Sequence, residues 1–500
     1  MRRGVRAALC AAEAPSFACY RCIWCMRRAA PRTLPTREII LRTELLYSVL
    51  FRTVLNRAWE SWVRGRPTLE YWQRLEKLQW ASRDELEAFQ LVELRALLRH
   101  AWEHVPFYRS RMEEAGLSPD GVRTLDDLRR MPILTREDAA DGDARRTTAP
   151  PFPTIHKATS GSTGRPLTFG YDQNSEFWRQ AIRMRGYGWA GYLPGELSLH
   201  YWGAPPTPPP LAQRVKVAAY HALRREIYID CGRRGDAELR AVVDVLHRRK
   251  PNVLVCYSQA GGDLARFVNE HGLRARETIP VLCGAERLFA KDRSEMERAF
   301  GPAVFETYGS REVMLIAMES ASHDGLLVQM ENLIVEVLVR GPDGRERPAR
   351  PGEVGEVVLT DLHNFGMPFI RYANGDLAVA GDEGRSACGR AHQRLRAIEG
   401  RVTETLTDAT GARMNGLVFN VMFASIGDAV RQFQAVQHVD KSITLRVVPT
   451  DKFDDSTRRV VRDVAARYLP GVPFKLATVS EIPPSPGGKR QVVVVERPQG

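Results

Sequence analysis

The most informative part of this 500-residue chain is Val304-Phe305-Glu306-Thr307-Tyr308-Gly309-Ser310-Arg311-Glu312, a short apolar run that passes directly into a glycine turn. The β-branched and aromatic residues at its start predict a strand. In α/β folds, ligands bind where such a strand ends and a turn begins. At this turn Tyr308 can stack on a base, Thr307 can bond a phosphate and Glu312 can hold Mg²⁺. Glu312 taken alone fits an exposed helix equally well.

Apolar runs of the same kind lie upstream of this segment, with helical periodicity between them. They are Leu197–Tyr201, Asn252–Tyr257 and Pro280–Gly284, and the helical pattern is clear in Ala237–Arg249. This alternation predicts an α/β core with a largely parallel sheet. Longer alternating runs at Asn332–Val339 and Val354–Leu359 predict an antiparallel region beside it.

The length of the chain predicts more than one domain, because 500 residues exceed what a single compact core usually holds. The last part reads as strand, helix, strand and strand, at Ser442–Val448, Ser456–Tyr468, Phe474–Ile482 and Gln491–Glu496. We therefore predict three parts. They are a basic extension over residues 1–40, a large α/β domain with mixed, largely parallel sheets over 41–400, and a small mobile α+β lid over 401–500.

Charge and composition restrict the class of partner. Hydrophobic residues make up 44% of the chain and charged residues 26%, as in ordinary globular proteins. The net charge is +12, but the first 42 residues hold nine Arg and two Glu and so supply most of it. Since no basic stripe interleaved with aromatics follows, we expect no nucleic-acid partner.

Cysteine usage and hydropathy predict a cytoplasmic protein. Four of the eight cysteines fall in the first 25 residues and the others are scattered, which does not resemble a disulfide framework. The apolar stretch at 39–55 is interrupted by Arg42, Glu44 and Arg52. It is too short and too charged to span a bilayer, so we expect an amphipathic helix and no membrane anchor. The first residues show no clean signal peptide.

A small, polar segment at Thr159–Pro166 has the composition of a phosphate-binding loop. Its members are Ser160, Gly161, Ser162, Thr163, Gly164 and Arg165. Small residues let the backbone approach an anion, hydroxyls and N–H groups can bond phosphate oxygens, and Arg165 adds a fixed positive charge. The spacing is not that of a Walker loop. Taken alone, the segment also fits a plain turn.

Two further motifs lie towards the C-terminus. In Met367–Asp376 the carboxylate of Asp376 follows a glycine turn and is able to accept hydrogen bonds from both ribose hydroxyls. A simple Asn-Gly-Asp hairpin explains this composition as well. In Pro486–Arg490 a Gly-Gly loop can carry Lys489 into a site as a mobile cation that stabilises developing charge. A basic hairpin turn is the alternative there.

The order and spacing of these motifs resemble the adenylate-forming superfamily of acyl-CoA synthetases, luciferases and nonribosomal adenylation domains. More narrowly, the chain resembles the phenylacetate–CoA ligase and CapK-like capsular-biosynthesis branch. The resemblance covers about residues 85–495. The residues that carry it to this branch are His100-Ala101, Val105–Arg109, Leu125–Leu134, Ile370-Arg371-Tyr372 before Gly375-Asp376, Cys388-Gly389-Arg390 and Ile398-Glu399-Gly400-Arg401.

The resemblance implies a role for each matching position. Ser160 to Gly164 would form the flexible loop over the ATP phosphates, and Gly284-Ala285-Glu286 would line the adenine and acyl pocket. Tyr308-Gly309 would lie beside the adenine, Thr307 near the α-phosphate, Glu312 on Mg²⁺ and Asp376 on the ribose. Arg401 would mark the hinge of the lid, and Lys489 would drive adenylation only. Thr307, Glu312, Arg165 and Lys489 are therefore the expected catalytic residues.

The implied activity is ATP-dependent activation of a carboxylate to an acyl-adenylate, with release of pyrophosphate. Transfer to the thiol of CoA or of a carrier pantetheine would follow. Tyr201-Trp202 and Tyr257 favour an aryl or arylacetic acid, although core packing explains them too. The expected cofactors are ATP, Mg²⁺ and CoA, and the expected assembly is a monomer or homodimer. An amide-forming ligase and a degenerate nucleotide-binding scaffold remain as alternatives.

The sequence departs from the family pattern at three places. Arg165 replaces the Lys that relatives commonly have, and Thr403-Glu404 replaces an acidic hinge pair. Relatives in this branch often hold a structural zinc. Here Ser320, Leu327 and Ser386 fill ligand positions, leaving Cys388 alone. One thiolate cannot build a four-ligand site, so we predict no zinc.

Overall fold

The computed structural model describes residues 46–63, 65–141, 147–149, 153–158, 167–203, 210–274, 278–341, 345–401, 406–407, 413–414, 429–469, 471–483 and 493–496. Ser160 to Gly164, Arg165 and Lys489 lie outside these residues, as do the predicted extension and Thr403-Glu404. Arg401 is described in its backbone only. Within the described residues, no helix combines the length and the apolar composition needed to cross a bilayer.

The described helices begin with a helical segment over residues 46–63, which is π-helical at Phe51–Leu55 and Ala58–Val63. The α-helices that follow are α1 (Thr68–Leu78), α2 (Arg83–His104), α3 (Pro106–Glu114), α4 (Arg136–Asp141), α5 (Gln173–Trp189), α6 (Leu211–Arg224), α7 (Asp236–Arg249), α8 (Ser258–Glu270), α9 (Ala290–Phe300) and α10 (Asp455–Tyr468). Short 3₁₀ turns occupy Pro119–Gly121 and Leu125–Arg130. Side chains fix several helix starts: Ser82 and Glu85 form a capping box on α2, and Asp172 caps α5.

The described strands form one large sheet, one smaller sheet and two hairpins. They are β1 (Thr154–Ala158), β2 (Thr168–Asp172), β3 (Ser198–Trp202), β4 (Glu226–Asp230), β5 (Val253–Tyr257), β6 (Val281–Gly284), β7 (Val304–Ser310), β8 (Met314–Glu319), β9 (Leu326–Val328), β10 (Leu333–Arg340), β11 (Glu346–Pro348), β12 (Val354–Asp361), β13 (Tyr372–Ala380), β14 (Arg394–Arg401), β15 (Leu406–Thr407), β16 (Arg413–Met414), β17 (Val430–Gln437), β18 (Ile443–Pro449), β19 (Phe474–Thr478) and β20 (Val493–Val495).

The large sheet has twelve strands in the order β11-β10-β12-β13-β14-β9-β8-β7-β6-β5-β3-β4. From β4 to β7 the neighbours are parallel, and from β7 to β11 they are antiparallel. Strands β5 and β6 are buried along their whole length, which explains their uninterrupted apolar sequence. The predicted α/β class is confirmed, with the parallel pairing confined to five strands of this sheet.

The C-terminal residues form a second sheet of four strands in the order β19-β18-β17-β20, covered by α10. This unit has a core of its own, built from side chains such as Leu445, Val447 and Val461. It touches the large domain next to α9, where Lys291 Nζ donates to the carbonyl oxygen of Val430 at 2.6 Å. The strand, helix, strand and strand predicted from Ser442 onwards agree with β18, α10, β19 and β20, whereas β17 was not predicted. A domain boundary at residue 401 stays a prediction.

Buried ion pairs fasten α5 to the antiparallel half of the large sheet. Arg179 donates to Asp361 at 2.8 Å and Arg185 to Glu331 at 2.7 Å, and His392 lies 3.1 Å from the same Glu331. Burial opposes ionisation of Glu331, but Arg185 and His392 more than offset it and hold the pKa of this carboxyl well below its usual range. The charges therefore stay paired inside the protein.

Candidate functional site

The carboxyl ends of the parallel strands meet at one edge of the large sheet, where α/β folds place ligands. Trp202 ends β3, Tyr257 ends β5 and Gly284 ends β6, with Tyr257 directly opposite Gly284 in the register. The rings of Trp202 and Tyr257 pack edge to face, with centroids 4.5 Å apart. Burial raises the pKa of Tyr257 to about 12, so its hydroxyl stays protonated at neutral pH. Together these strand ends form an aromatic wall beside the glycine.

Thr307 lies against this wall, in the middle of β7. Its hydroxyl donates to the carbonyl oxygen of Cys283 at 2.8 Å. A Cβ atom on Gly284 would come within 2.5 Å of Thr307 Oγ1 and 3.5 Å of Trp202 Cη2. Glycine at 284 is therefore required for the close approach of Thr307. The next residue, Ala285, has φ +67°, a left-handed conformation that non-glycine residues adopt rarely and mostly at functional sites.

The Gly284→Ala variant tests this close approach. The added methyl would push the Thr307 hydroxyl away from Cys283 and crowd Trp202, so we expect about a tenfold loss of kcat/KM in acid-dependent pyrophosphate exchange. The matched control is Gly188→Ala in α5, because a Cβ at Gly188 meets nothing within 4 Å. Equal activity of the two variants would contradict the proposed role of Gly284.

Glu286 fixes the chain segment that follows β6. Its carbonyl oxygen accepts from the Ser258 hydroxyl at 2.8 Å, and its Oε2 accepts from the backbone N–H of Gln259 at 3.2 Å. Its carboxylate thus lies at the N-terminus of α8, where the helix dipole favours negative charge. This contact holds the 284–286 segment in place along the strand ends, where the sequence predicts the adenine and acyl pocket.

Tyr308 and Asp376 come together although 68 residues separate them. The Tyr308 hydroxyl donates to Asp376 Oδ2 at 2.8 Å, and Asn374 Nδ2 donates to both of these oxygens at 2.8 Å. The tyrosine ring packs in the apolar core beneath the antiparallel strands. A side chain on Gly309 would collide with the carbonyl of Met314, so glycine permits the tight turn after Tyr308. The structure therefore unites two predicted nucleotide-binding residues in one hydrogen-bonded group.

Glu312 lies in the turn between β7 and β8 and is 5% exposed. Its Oε1 lies 3.3 Å from the Tyr372 hydroxyl and 3.7 Å from Arg136 Nη1. The described residues contain no group of three or more His, Cys, Asp or Glu that could hold a metal ion. Mg²⁺ in nucleotide sites is often held by one or two carboxylates, with substrate phosphates supplying further ligands. A single carboxylate at Glu312 fits that mode of binding.

The predicted phosphate-binding segment follows β1 and precedes β2 in the sequence. These two strands pair in an antiparallel hairpin, with Ala158 opposite Thr168. Arg311, in the same turn as Glu312, donates to the carbonyl oxygen of Ala158 at 2.7 Å. The end of β1, directly before the segment, is therefore fastened to the turn that carries Glu312. Ser160 to Gly164 and Arg165 themselves lie outside the described residues.

Arg401, the predicted hinge, lies in β14 directly opposite Asp376 in the strand register. Two residues earlier, Glu399 forms an ion pair with Arg287 at 3.2 Å, and its carbonyl oxygen accepts from the same guanidinium at 3.2 Å. Arg287 directly follows Glu286, so this contact joins the 284–286 segment to the hinge strand.

Sequence reasoning assigned no role to Glu306, which precedes Thr307 on β7. The residue is half-buried, and its Oε1 accepts from the backbone N–H of Leu288 at 3.2 Å. Desolvation, reinforced by the nearby carboxylate of Glu319, raises the pKa of Glu306 to about 7. An acidic residue inside an otherwise apolar strand was the only signal in the sequence. Its protonated form is favoured beside the site up to neutral pH.

The Glu306→Gln variant is expected to be more stable than the parent at pH 8 and nearly equal to it at pH 4.5. In the parent, the folded state keeps the proton to about pH 7, whereas the unfolded chain loses it near pH 4.5, so stability falls as pH rises between these values. Allowing for partial exposure, the gain at pH 8 is about 1–2 kcal/mol. Thermal melts at both pH values measure it, with exposed Glu297→Gln as control. A gain that does not depend on pH would contradict the assignment.

Hydrogen bonds connect polar side chains at and near the positions where relatives often hold zinc. Ser320 Oγ lies 2.8 Å from Ser322 Oγ, Ser322 donates to Asp324 at 2.6 Å, and Ser386 donates to the same Asp324 oxygen at 2.8 Å. Arg390 Nη1 donates to the sulfur of Cys388 at 3.3 Å. These polar groups satisfy one another, and the absence of zinc stays a prediction.

Comparison with known proteins identifies relatives of this chain. Residues 406–496 match the family model of the CapK C-terminal domain. The phenylacetate–coenzyme A ligase of Escherichia coli (strain K12) is 31% identical over 357 residues, covering 67% of this chain and 75% of that protein. Protein CapK of Staphylococcus aureus is 21% identical, over 86% of this chain and 94% of its own length.

The fold has solved counterparts. The crystal structure of 2-hydroxyisobutyryl-CoA ligase in the postadenylation state aligns with a TM-score of 0.66 at 21% identity, over 84% of this chain and 91% of that one. The predicted superfamily and branch are thereby confirmed. With its motifs in family order and its sequence similarity to the Escherichia coli enzyme, the chain belongs to the phenylacetate–coenzyme A ligase family of adenylate-forming enzymes.

Proposed function

We propose that this protein activates an aryl or arylacetic acid with ATP and transfers the acyl group to the thiol of CoA. Its family membership makes it an AMP-forming acid–CoA ligase, which forms an acyl-adenylate and then a thioester. One observation carries the residue assignments: Tyr308, whose hydroxyl donates to Asp376, directly follows Thr307, whose hydroxyl lies close to Gly284 at the aromatic wall. The proposed nucleotide ligands thus lie next to the aromatic wall.

The first half-reaction needs alignment and charge neutralisation more than proton transfer. The attacking carboxylate is already ionised at neutral pH, so no general base is required. Its attack on the α-phosphate brings negative charges together, which positioned donors and cations must offset. We assign the Thr307 hydroxyl to the α-phosphate and Asp376 to the ribose. Arg165 and Lys489 have the charge this step requires.

A magnesium ion would complete the nucleotide site. Glu312 would hold it, together with phosphate oxygens of ATP, and the bound ion would neutralise charge on those phosphates. Arg136 Nη1 lies 3.7 Å from Oε1 of the same carboxylate.

The aromatic wall supports the proposed class of acid. Trp202 and Tyr257 form an edge-to-face pair next to Gly284, and aromatic rings of this kind are apolar partners for the ring of an aryl acid. The relatives named phenylacetate–coenzyme A ligase are similar over about two thirds of this chain. Their substrate class is the one we assign here.

Acid-dependent exchange of labelled pyrophosphate into ATP tests the proposal, over a panel of aryl, arylacetic, fatty and amino acids. We expect exchange with aryl or arylacetic acids and, once CoA is added, the matching thioester. If exchange occurs but no CoA thioester forms, the acceptor in the second step would be a carrier pantetheine or an amine. Each of these acceptors would then be tested in turn. No exchange with any acid, while ATP still binds, would overturn the proposal in favour of a nucleotide-binding scaffold.

A further inference from the structure

Exposed apolar side chains are concentrated in two short segments of the described chain. Of thirteen large apolar or aromatic residues that are exposed there, ten lie within residues 46–59 and 211–228. The most informative are Leu46, Val49, Leu50 and Val54 in the first segment, and Leu211 and Val215 in the second. Single exposed apolar residues are normal on a protein surface, but clustering of this kind marks a surface that contacts something else.

Helix α6 has no buried residue, although its sequence is amphipathic. Every residue from 211 to 220 is exposed, including Leu211 and Val215 at 72% and 62%. Leu211, Val215, Ala218 and Ala222 follow the 3-to-4-residue spacing of one helix face. Helices of this length are marginal in water, and most of their stability comes from burying such a face. The apolar face of α6 therefore lacks a partner within the described part of the chain.

The first helical segment presents a second apolar stripe next to α6. Leu46, Leu50 and Val54 recur every four residues and are 70%, 44% and 48% exposed. The two segments touch: the Tyr47 hydroxyl donates to the carbonyl oxygen of Leu223 at 2.7 Å, and the Arg225 guanidinium lies 5.2 Å from the centre of the Tyr47 ring. The two stripes thus belong to neighbouring helices on the outer side of the sheet edge formed by β4.

The charged side chains exposed on this surface are basic. Residues 46–60 and 211–228 contain six basic side chains, namely Arg52, Arg57, Arg214, Lys216, Arg224 and Arg225, of which Arg224 is paired with Glu226 at 2.9 Å. The acidic residues in these ranges, Glu60 and Glu226, are 6% and 9% exposed. A two-fold contact between copies of the chain would bring like charges together, which opposes association. The charge pattern therefore favours an anionic partner.

We propose that α6 and the first helical segment dock this protein onto an anionic lipid surface. Apolar stripes flanked by arginine and lysine are what an interfacial helix needs, with the apolar side chains among the headgroups and the cations on lipid phosphates. The contact lies on the bilayer and does not cross it. It is thus a different mode of membrane contact from the spanning anchor whose absence the sequence predicts.

Co-sedimentation of the full-length protein with vesicles tests this surface. The vesicles are phosphatidylcholine alone, or phosphatidylcholine mixed with phosphatidylglycerol. We expect binding only to the mixed vesicles, and weaker binding in high salt. The Leu50→Asp/Leu211→Asp and Arg214→Glu/Lys216→Glu variants should each lower the partition constant about tenfold or more.

The matched controls are Val92→Asp and Val439→Asp, which place the same charge at exposed apolar positions elsewhere, 63% and 51% exposed. They should bind vesicles like the parent. Melting temperature and pyrophosphate exchange should be unchanged in all variants, because none of these residues lies in the proposed catalytic site. Absence of binding, equal binding to neutral vesicles, or equal binding of parent and variants would overturn the proposal. A parent dimer that the same variants convert to monomers would overturn it in favour of a subunit interface.

Discussion

The Asp376→Ala variant is expected to lose about a hundredfold or more in kcat/KM for ATP. In the proposed site the Asp376 carboxylate accepts both ribose hydroxyls, and a hydrogen bond to a charged acceptor is worth about 1.5–3 kcal/mol. Loss of two such bonds raises the barrier measured from free enzyme and ATP. Steady-state pyrophosphate exchange with ATP varied at saturating acid measures the effect.

A matched control separates this effect from loss of charge or stability. Asp382 lies just beyond the same strand and is exposed, so Asp382→Ala should behave like the parent. Removal of the Asp376 carboxylate also removes Oδ2, the atom to which the Tyr308 hydroxyl donates. A melting curve must therefore show that the variant is folded. A folded Asp376→Ala variant with parental kcat/KM for ATP would show that the ribose binds elsewhere.

The Lys489→Ala variant is expected to lose about 10²–10³-fold in adenylation, the range found when one donor to a developing anion is removed. The family resemblance assigns this lysine to the first half-reaction only. Thioester formation from supplied acyl-adenylate and CoA should therefore stay within a few-fold of the parent. The two half-reactions are measured separately, as pyrophosphate exchange and as thioester release.

The exposed Lys475, on β19 of the same C-terminal unit, provides the control for a lost positive charge. Lys475→Ala should leave both half-reactions intact. If Lys489→Ala slowed both half-reactions equally, its role would be in holding the C-terminal unit rather than in adenylation. If it slowed neither, the catalytic assignment of Lys489 would be wrong.

The strands that carry the site were predictable from sequence because their burial leaves a simple pattern. Runs at 252–257, 280–284 and 304–308 are apolar and end in small or polar residues, and the structure places β5, β6 and β7 within two residues of them. Strand β4 was not predicted, because its exposed and half-buried positions give Glu226–Asp230 no apolar run. The local sequence pattern predicts buried strands well and exposed edge strands poorly.

Contacts between residues that are far apart in the chain could not be predicted from the sequence. Nothing local to Tyr308 indicates that its hydroxyl donates to Asp376, since that contact depends on the pairing of β8, β9 and β14, the three strands that lie between β7 and β13 in the sheet. The stacking role predicted for the Tyr308 ring stays a prediction. The charged residues Arg179 and Arg185 would have been placed on the surface, yet each is enclosed with its carboxylate partner. A single sequence does not reveal which charges are paired inside.

The pairing of Asp376 with Arg401 across β13 and β14 has a consequence for how this family can vary. We propose Arg401 as the pivot of the lid and Asp376 as the ribose ligand. Because these residues lie opposite each other in adjacent strands, their separation is set by strand register and not by side-chain packing. Insertions in the connection at 381–393 would leave that spacing untouched. A slip of one residue between the two strands would displace pivot and nucleotide relative to each other and turn their side chains to opposite faces. Length changes should therefore be tolerated in the exposed part of the connecting loop, at 382–385, and excluded from the paired strands.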